Sequence, residues 1–185
     1  MDVLAHGLWS NIIVYKKYPH NSKMRWVAVA FGVLPDLIPF APLFIYTFLT
    51  GRFGGPENWN FSHWTLNWAP FAYNFTHSLV VFSVVFLITS LYRKIKHKKS
   101  GWEIVYFPML AWGFHILLDM PTHPNFYNTP FLFPISNYKL TWGLSWAHWA
   151  ILIPQYTFFA VWYSWWVIKN RRSKAESTLS VKGDL

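Results

Sequence analysis

Trp112-Gly-Phe-His-Ile-Leu-Leu-Asp-Met-Pro-Thr-His123 places three ligand-type side chains in an otherwise apolar run. His115 and Asp119 are four apart, so a helix puts both on one face, one turn from each other. A carboxylate in such a helix is costly unless it faces protein and has a partner. The stretch therefore predicts a helix with a polar inner face and an apolar outer one. Pro121 predicts an end or bend near Met120. On an unbroken helix His115 and His123 would be about 12 Å apart at 1.5 Å per residue. One ion cannot bridge that distance, whereas two ions with Asp119 between them would use all three residues.

Composition extends this reading to the whole chain. Of 185 residues 54% are hydrophobic and 22% aromatic, and only 12% carry a charge. A soluble domain carries roughly twice that charged fraction, about 25%, so a water-facing globule is excluded. Mean hydropathy is only +0.20, because thirteen Trp and ten Tyr lower it, although both suit a membrane interface. With no Cys there are no disulfides and no thiolate metal sites.

Four stretches reach the length of about 20 residues that a span needs: Trp26–Leu49, Ala69–Tyr92, Trp102–Met120 and Leu144–Ile168. A fifth, Asp2–Tyr15, is amphipathic and short, and would lie in the interface or dip into the bundle. The expected fold is all-α: a polytopic helical membrane bundle of four transmembrane helices plus that N-terminal helix. Residues 1–170 form the membrane domain, and 171–185 a flexible basic cytoplasmic tail. No signal peptide is expected, since Asp2 and His6 stand where a basic region would be.

The net charge of +9 collects around Lys16–Arg25, Arg93–Lys99 and Lys169–Lys182. Loops 50–68 and 121–143 hold only Arg52 and Lys139. This alternation puts those two loops outward and the C-terminus in the cytoplasm. The basic charge is then explained without nucleic acid, and anionic lipid headgroups become its natural partner.

Asp36 and Asp119 fall inside apolar spans, which no Lys or Arg enters. Their partners must be histidines or a metal cation. His77 and His115 are also intraspan, and His6, His123 and His148 lie near span ends. Asp2 and His6 repeat the i, i+4 spacing, an echo of Asp119 and His123. Asp36 sits in Gly32-Val-Leu-Pro-Asp-Leu-Ile-Pro39, where prolines distort the backbone, as is tolerated beside a polar cavity. Plainer roles exist for each residue alone: Asp36 as a cap at a proline break, His148 bonded to a carbonyl, His63 on the outer surface. His20 and His97 belong to basic loops. Asn60-Phe-Ser and Asn74-Phe-Thr match a glycosylation pattern, the second within a span, where it has no meaning. The conjunction of Asp36, His77, His115, Asp119 and His123 has no such plain reading.

Asp2-Val-Leu-Ala-His6, Phe31-Gly-Val-Leu-Pro-Asp-Leu37, Tyr73-Asn-Phe-Thr-His-Ser-Leu79, Trp112–His123 and Phe131-Leu-Phe-Pro-Ile-Ser136 together resemble the membrane-bound metal-dependent hydrolases. These are small bacterial inner-membrane proteins, one of them LexA-regulated. A looser similarity is to zinc-dependent phospholipase C, in the ligand order His6, Asp36, His77, His115, Asp119, with His123 following. That family closes its ligand set with a His-x-x-x-Glu pair, whereas here His148 is followed by Leu152. The resemblance thus implies one or two zinc ions and no third site.

The resulting expectation is a hydrolase open toward the outer leaflet, with a divalent metal, zinc first, held by His6, Asp36, His77, His115, Asp119 and His123. A metal-activated water would attack a phosphoester of a lipid or lipid-linked substrate, ahead of an ester or amide. Asp36 or Asp2 would be the general base. Two alternatives are a metal-ion transporter, whose polar path would continue inward, and a non-catalytic scaffold glued by His and Asp. The inner halves of the second and fourth spans are almost wholly apolar, which disfavours the transporter.

Overall fold

A computed structural model describes residues 2–51, 64–124 and 128–183, of which 64–66 and 173–183 by backbone alone. His63, Asn60 and most of the expected outer loop 50–68 lie outside the described residues. The described chain contains six α-helices and no strand. They are α1 (Val3–Tyr15), α2 (Ser22–Thr50), α3 (Trp64–Thr76), α4 (Leu79–Lys96), α5 (Leu110–Thr122) and α6 (Trp149–Gly183). Two 3-10 turns, Gly101–Ile104 and Phe107–Met109, precede α5.

All-helical architecture agrees with the sequence, but the four expected spans do not all appear. Among the described residues only α2, with 29 residues, is long and apolar enough to cross a membrane, and a second span exists if α3 and α4 are taken as one bent element. The expected span Ala69–Tyr92 is broken between Thr76 and Leu79, with a bend of 58°. Ser78 causes the break, its hydroxyl accepting from Val81 N at 3.1 Å to start α4 anew. The expected span Trp102–Met120 contributes only the 13 residues of α5, about 20 Å at 1.5 Å per residue. Pro108 opens the 3-10 turn before it and delays the α-helix. In place of Leu144–Ile168, α6 begins at Trp149 and continues to Gly183, through the basic segment expected as a tail. Its Trp, Tyr and Gln155 make it less apolar than α2.

The described chain divides into two compact units, Met1–Trp146 and Ala147–Leu185. In the first, α1, α3 and α5 all pack on α2. The packing depends on small residues. A Cβ on Gly32 of α2 would lie 2.9 Å from Ser10 Cβ and 3.0 Å from the His6 carbonyl of α1, closer still to Ser10 Oγ. On α5, a Cβ at Gly113 would meet the Phe82 ring of α4 at 2.8 Å. Such small-residue contacts are how helices approach where no hydrophobic force drives them together.

Prolines in α2 free carbonyls that other elements use. Pro42 has no N–H to offer the Ile38 carbonyl four residues earlier. Trp68 of α3 takes that role, its Nε1–H donating to Ile38 O at 2.9 Å. The broken α3–α4 junction is likewise closed by the loop that follows α5. Leu79 N donates to Phe131 O at 2.9 Å, and the Ser78 hydroxyl donates to Phe133 O. Further along, Leu144 N and Trp146 N donate to the Pro121 and Thr122 carbonyls at 3.1 and 2.9 Å.

Polarity runs opposite to that of a soluble domain. After Ile116, the largest fully buried side chains are His6, His77, His115, Thr129 and Asp119. Trp26, Phe44, Phe48, Leu49, Leu87 and Ile88 are all more than 60% exposed. An apolar exterior around a polar interior suits a hydrocarbon solvent.

Candidate metal centre

Each helix of the first unit except α4 carries a polar side chain to one place. α2 supplies Asp36, which sits with Pro35 and Pro39 on its buried side. The break after α3 supplies His77, whose ring is fully buried and stacked on Tyr73 at 3.8 Å between centroids. α5 supplies His115 and Asp119 on one face. α1 supplies His6, whose ring lies 3.7 Å from that of His115.

Ligand atoms of Asp36, His77, His115 and Asp119 all lie within 4.8 Å of one another. His77 Nε2 is 3.3 Å from Asp36 Oδ1 and 3.3 Å from Asp119 Oδ2. His115 Nε2 is 3.2 Å from Asp119 Oδ2, 3.7 Å from Asp36 Oδ1 and 3.0 Å from His77 Nε2. Metal–nitrogen and metal–oxygen bonds of about 2.0–2.2 Å put tetrahedral ligand atoms roughly 3.3–3.6 Å apart. These five separations lie near that edge length, so the four side chains could share one metal ion.

Hydrogen bonding at the far side of His115 supports the fit. Its Nδ1 is 2.7 Å from the Gly32 carbonyl, which can only accept. A proton is therefore on Nδ1, and Nε2 is the nitrogen that faces the cluster. A second group orienting a ligand histidine through its other nitrogen is usual at metal sites. With no Lys or Arg in the expected spans, the groups that would neutralise the two converging carboxylates are the histidines or a cation. The buried Asp36, His77, His115 and Asp119 cluster could hold a metal ion.

Asp119 presents its other oxygen to two more of the expected residues. His6 Nε2 lies 2.9 Å from Asp119 Oδ1, and His123 Nδ1 lies 3.3 Å from it. The helix runs one residue past Pro121 to Thr122, with His123 as its C-cap, rather than stopping near Met120. Proline at that position removes only the donor to Leu117 O, four residues back. The turn survives, and His123 N still donates to Asp119 O at 3.1 Å.

Asp2 is placed differently. It is the N-cap of α1, its Oδ1 accepting from Ala5 N at 2.9 Å, and it is outside the four-residue cluster. His148 serves the start of α6, its Nδ1 accepting from Ala150 N at 3.2 Å. His97 ends α4 as its C-cap, edge-on to Tyr92.

Residues 1–181 match the family of YdjM inner membrane proteins. The chain belongs to that family. Membership agrees with a bacterial inner-membrane protein and with the apolar exterior of the first unit. The family's description names no hydrolysis, metal or substrate. No curated protein and no solved structure matches the chain.

Gly32, Thr76 and Ser78 are the residues of this region that ligand-type reasoning passes over. Thr76 and Ser78 flank His77 directly, and Gly32 lies one helical turn before Asp36. Adjacency to a candidate ligand was their only signal.

Proposed function

We propose that the protein is a multi-pass inner-membrane hydrolase that uses a divalent metal, zinc first, to cleave a phosphoester of a lipid or lipid-linked substrate. The observation that carries this reading is the set of five ligand-atom separations between 3.0 and 3.7 Å. A buried two-His, two-Asp set is a costly arrangement with no structural need for so many titratable groups. A metal held there would act as Lewis acid and lower the pKa of a bound water.

His77, His115 and Asp119 would hold the ion, with Asp36 through Oδ1. Asp36 Oδ2 is buried and has no hydrogen-bond partner among the described residues. It is the group best placed to accept a proton from an attacking water. Asp2 is the weaker candidate, because its carboxylate already caps α1. A second ion would use Asp119 Oδ1 with His6 and His123, making Asp119 a bridge, as suits displacement at phosphorus. The site's place among lipid-facing helices favours a lipid substrate drawn from the outer leaflet, with the basic C-terminus in the cytoplasm.

Elemental analysis of the purified protein should find at least one equivalent of divalent metal per chain. Asp119→Asn should remove both that metal and phosphate-headgroup release from mixed lipid vesicles. Retention of both would sink the assignment, and a metal-free wild type would leave His and Asp as glue between helices.

A further inference from the structure

We infer that Thr76 is a positioning residue that fixes His77 with its proton on Nδ1, leaving the Nε2 lone pair for a cation. The inference rests on the metal reading of the site, and concerns how one ligand is prepared for it.

The argument starts from the hydrogen count of a hydroxyl. Thr76 Oγ1 lies 3.1 Å from the Ala72 carbonyl and 3.4 Å from the Tyr73 carbonyl. Both carbonyls can only accept, so the single hydroxyl hydrogen is directed at them, the usual back-bond of threonine in a helix. His77 Nδ1 is 3.0 Å from the same oxygen. What the hydroxyl has left for it is a lone pair, so Nδ1–H donates to Thr76. With that proton on Nδ1, Nε2 is the nitrogen left to offer a lone pair to a cation, and it points at Asp36, Asp119 and His115.

Two further contacts hold the arrangement. Trp112 Nε1–H donates to the Thr76 carbonyl at 2.6 Å, tying the last turn of α3 to α5. Tyr73 stacks on the His77 ring with an interplanar angle of 21° and so sets its plane. The Gly32 carbonyl does for His115 what the Thr76 hydroxyl does for His77. The two cases differ in one respect. A carbonyl cannot donate, so the His115 tautomer is imposed, whereas a hydroxyl can turn, so that of His77 depends on Thr76 keeping its own hydrogen on the helix backbone.

Thr76→Val keeps the shape and removes the acceptor, and Thr76→Ser keeps the acceptor. Loss of an orienting partner costs about 10–100-fold in metal affinity. Zinc affinity, measured by chelator competition in detergent, should fall by that factor in Thr76→Val and by less than about threefold in Thr76→Ser. In parallel, histidine 15N spectra of metal-free protein, assigned by difference against His77→Gln, read the tautomer directly. They should show a proton on Nδ1 in wild type and its loss from Nδ1 in Thr76→Val. Unchanged zinc affinity in Thr76→Val, or a wild-type His77 with no proton on Nδ1, would overturn the inference. If wild type binds no zinc, the metal reading fails, and the 15N spectra still decide the role of Thr76.

Discussion

α1 has 13 residues and buries five of them, Ala5, His6, Gly7, Ser10 and Val14, whereas α4 has 18 and buries none. Ranked by apolar length, α4 is the better membrane helix and α1 the poorer. Ranked by contribution to the site, the order reverses: His6 of α1 reaches Asp119, and α4 adds no ligand. In a bundle surrounded by hydrocarbon, apolar length reports contact with lipid. Small and polar residues report contact with protein.

Gly32→Ala tests the protein-facing side of that contrast most severely. The added methyl collides with Ser10 and the His6 carbonyl, and overpacking of this kind costs about 1–3 kcal/mol. The Gly32 carbonyl would shift with it and release His115. Thermal unfolding in detergent should show the loss, and Ser10→Ala in the same chain should restore part of it. A Gly32→Ala protein as stable as wild type would mean that α1 does not press on α2 as closely as its small residues indicate.

A smaller effect is expected for Trp68→Phe, which leaves the Ile38 carbonyl without its indole donor. The cost should be about 1 kcal/mol, the net worth of one hydrogen bond, seen as a lower unfolding temperature. No change would remove this link from the pairing of α2 with α3.

Leu87→Ala probes the other side of the contrast. Leu87 is 65% exposed on α4, and substitutions away from packed features stay within about 0.5 kcal/mol. A loss above about 2 kcal/mol is the mark of a buried large-to-small change. It would show that this face of α4 packs on protein, such as a second copy of the chain, and the contrast with α1 would fall.

Legibility in the sequence followed the same division. His115 and Asp119 could be paired from spacing alone, because helical periodicity is local and the run around them is apolar. Asp36 and His77 could be singled out by position, since a carboxylate or imidazole in a span requires an explanation. Span number was the misreading. Apolar composition does not distinguish one straight crossing from a helix that Ser78 restarts after His77, or from a 13-residue helix delayed by Pro108. Those breaks depend on a side-chain cap and a missing N–H, which hydropathy does not weigh.

From sequence alone came the helical class, the apolar exterior and the identity of the polar residues that had to face inward, because insertion energy and helical period act residue by residue. Tertiary structure decided which of them meet. It put Asp36, His77, His115 and Asp119 around one point, His6 and His123 on the opposite oxygen of Asp119, and Asp2 on a helix cap instead. Distances of 3.3 and 2.9 Å between residues 41 and 113 positions apart arise from how the helices pack, and no local pattern contains them. The same packing supplied Gly32 and Thr76, whose backbone carbonyl and hydroxyl became useful only once an imidazole had been brought against them.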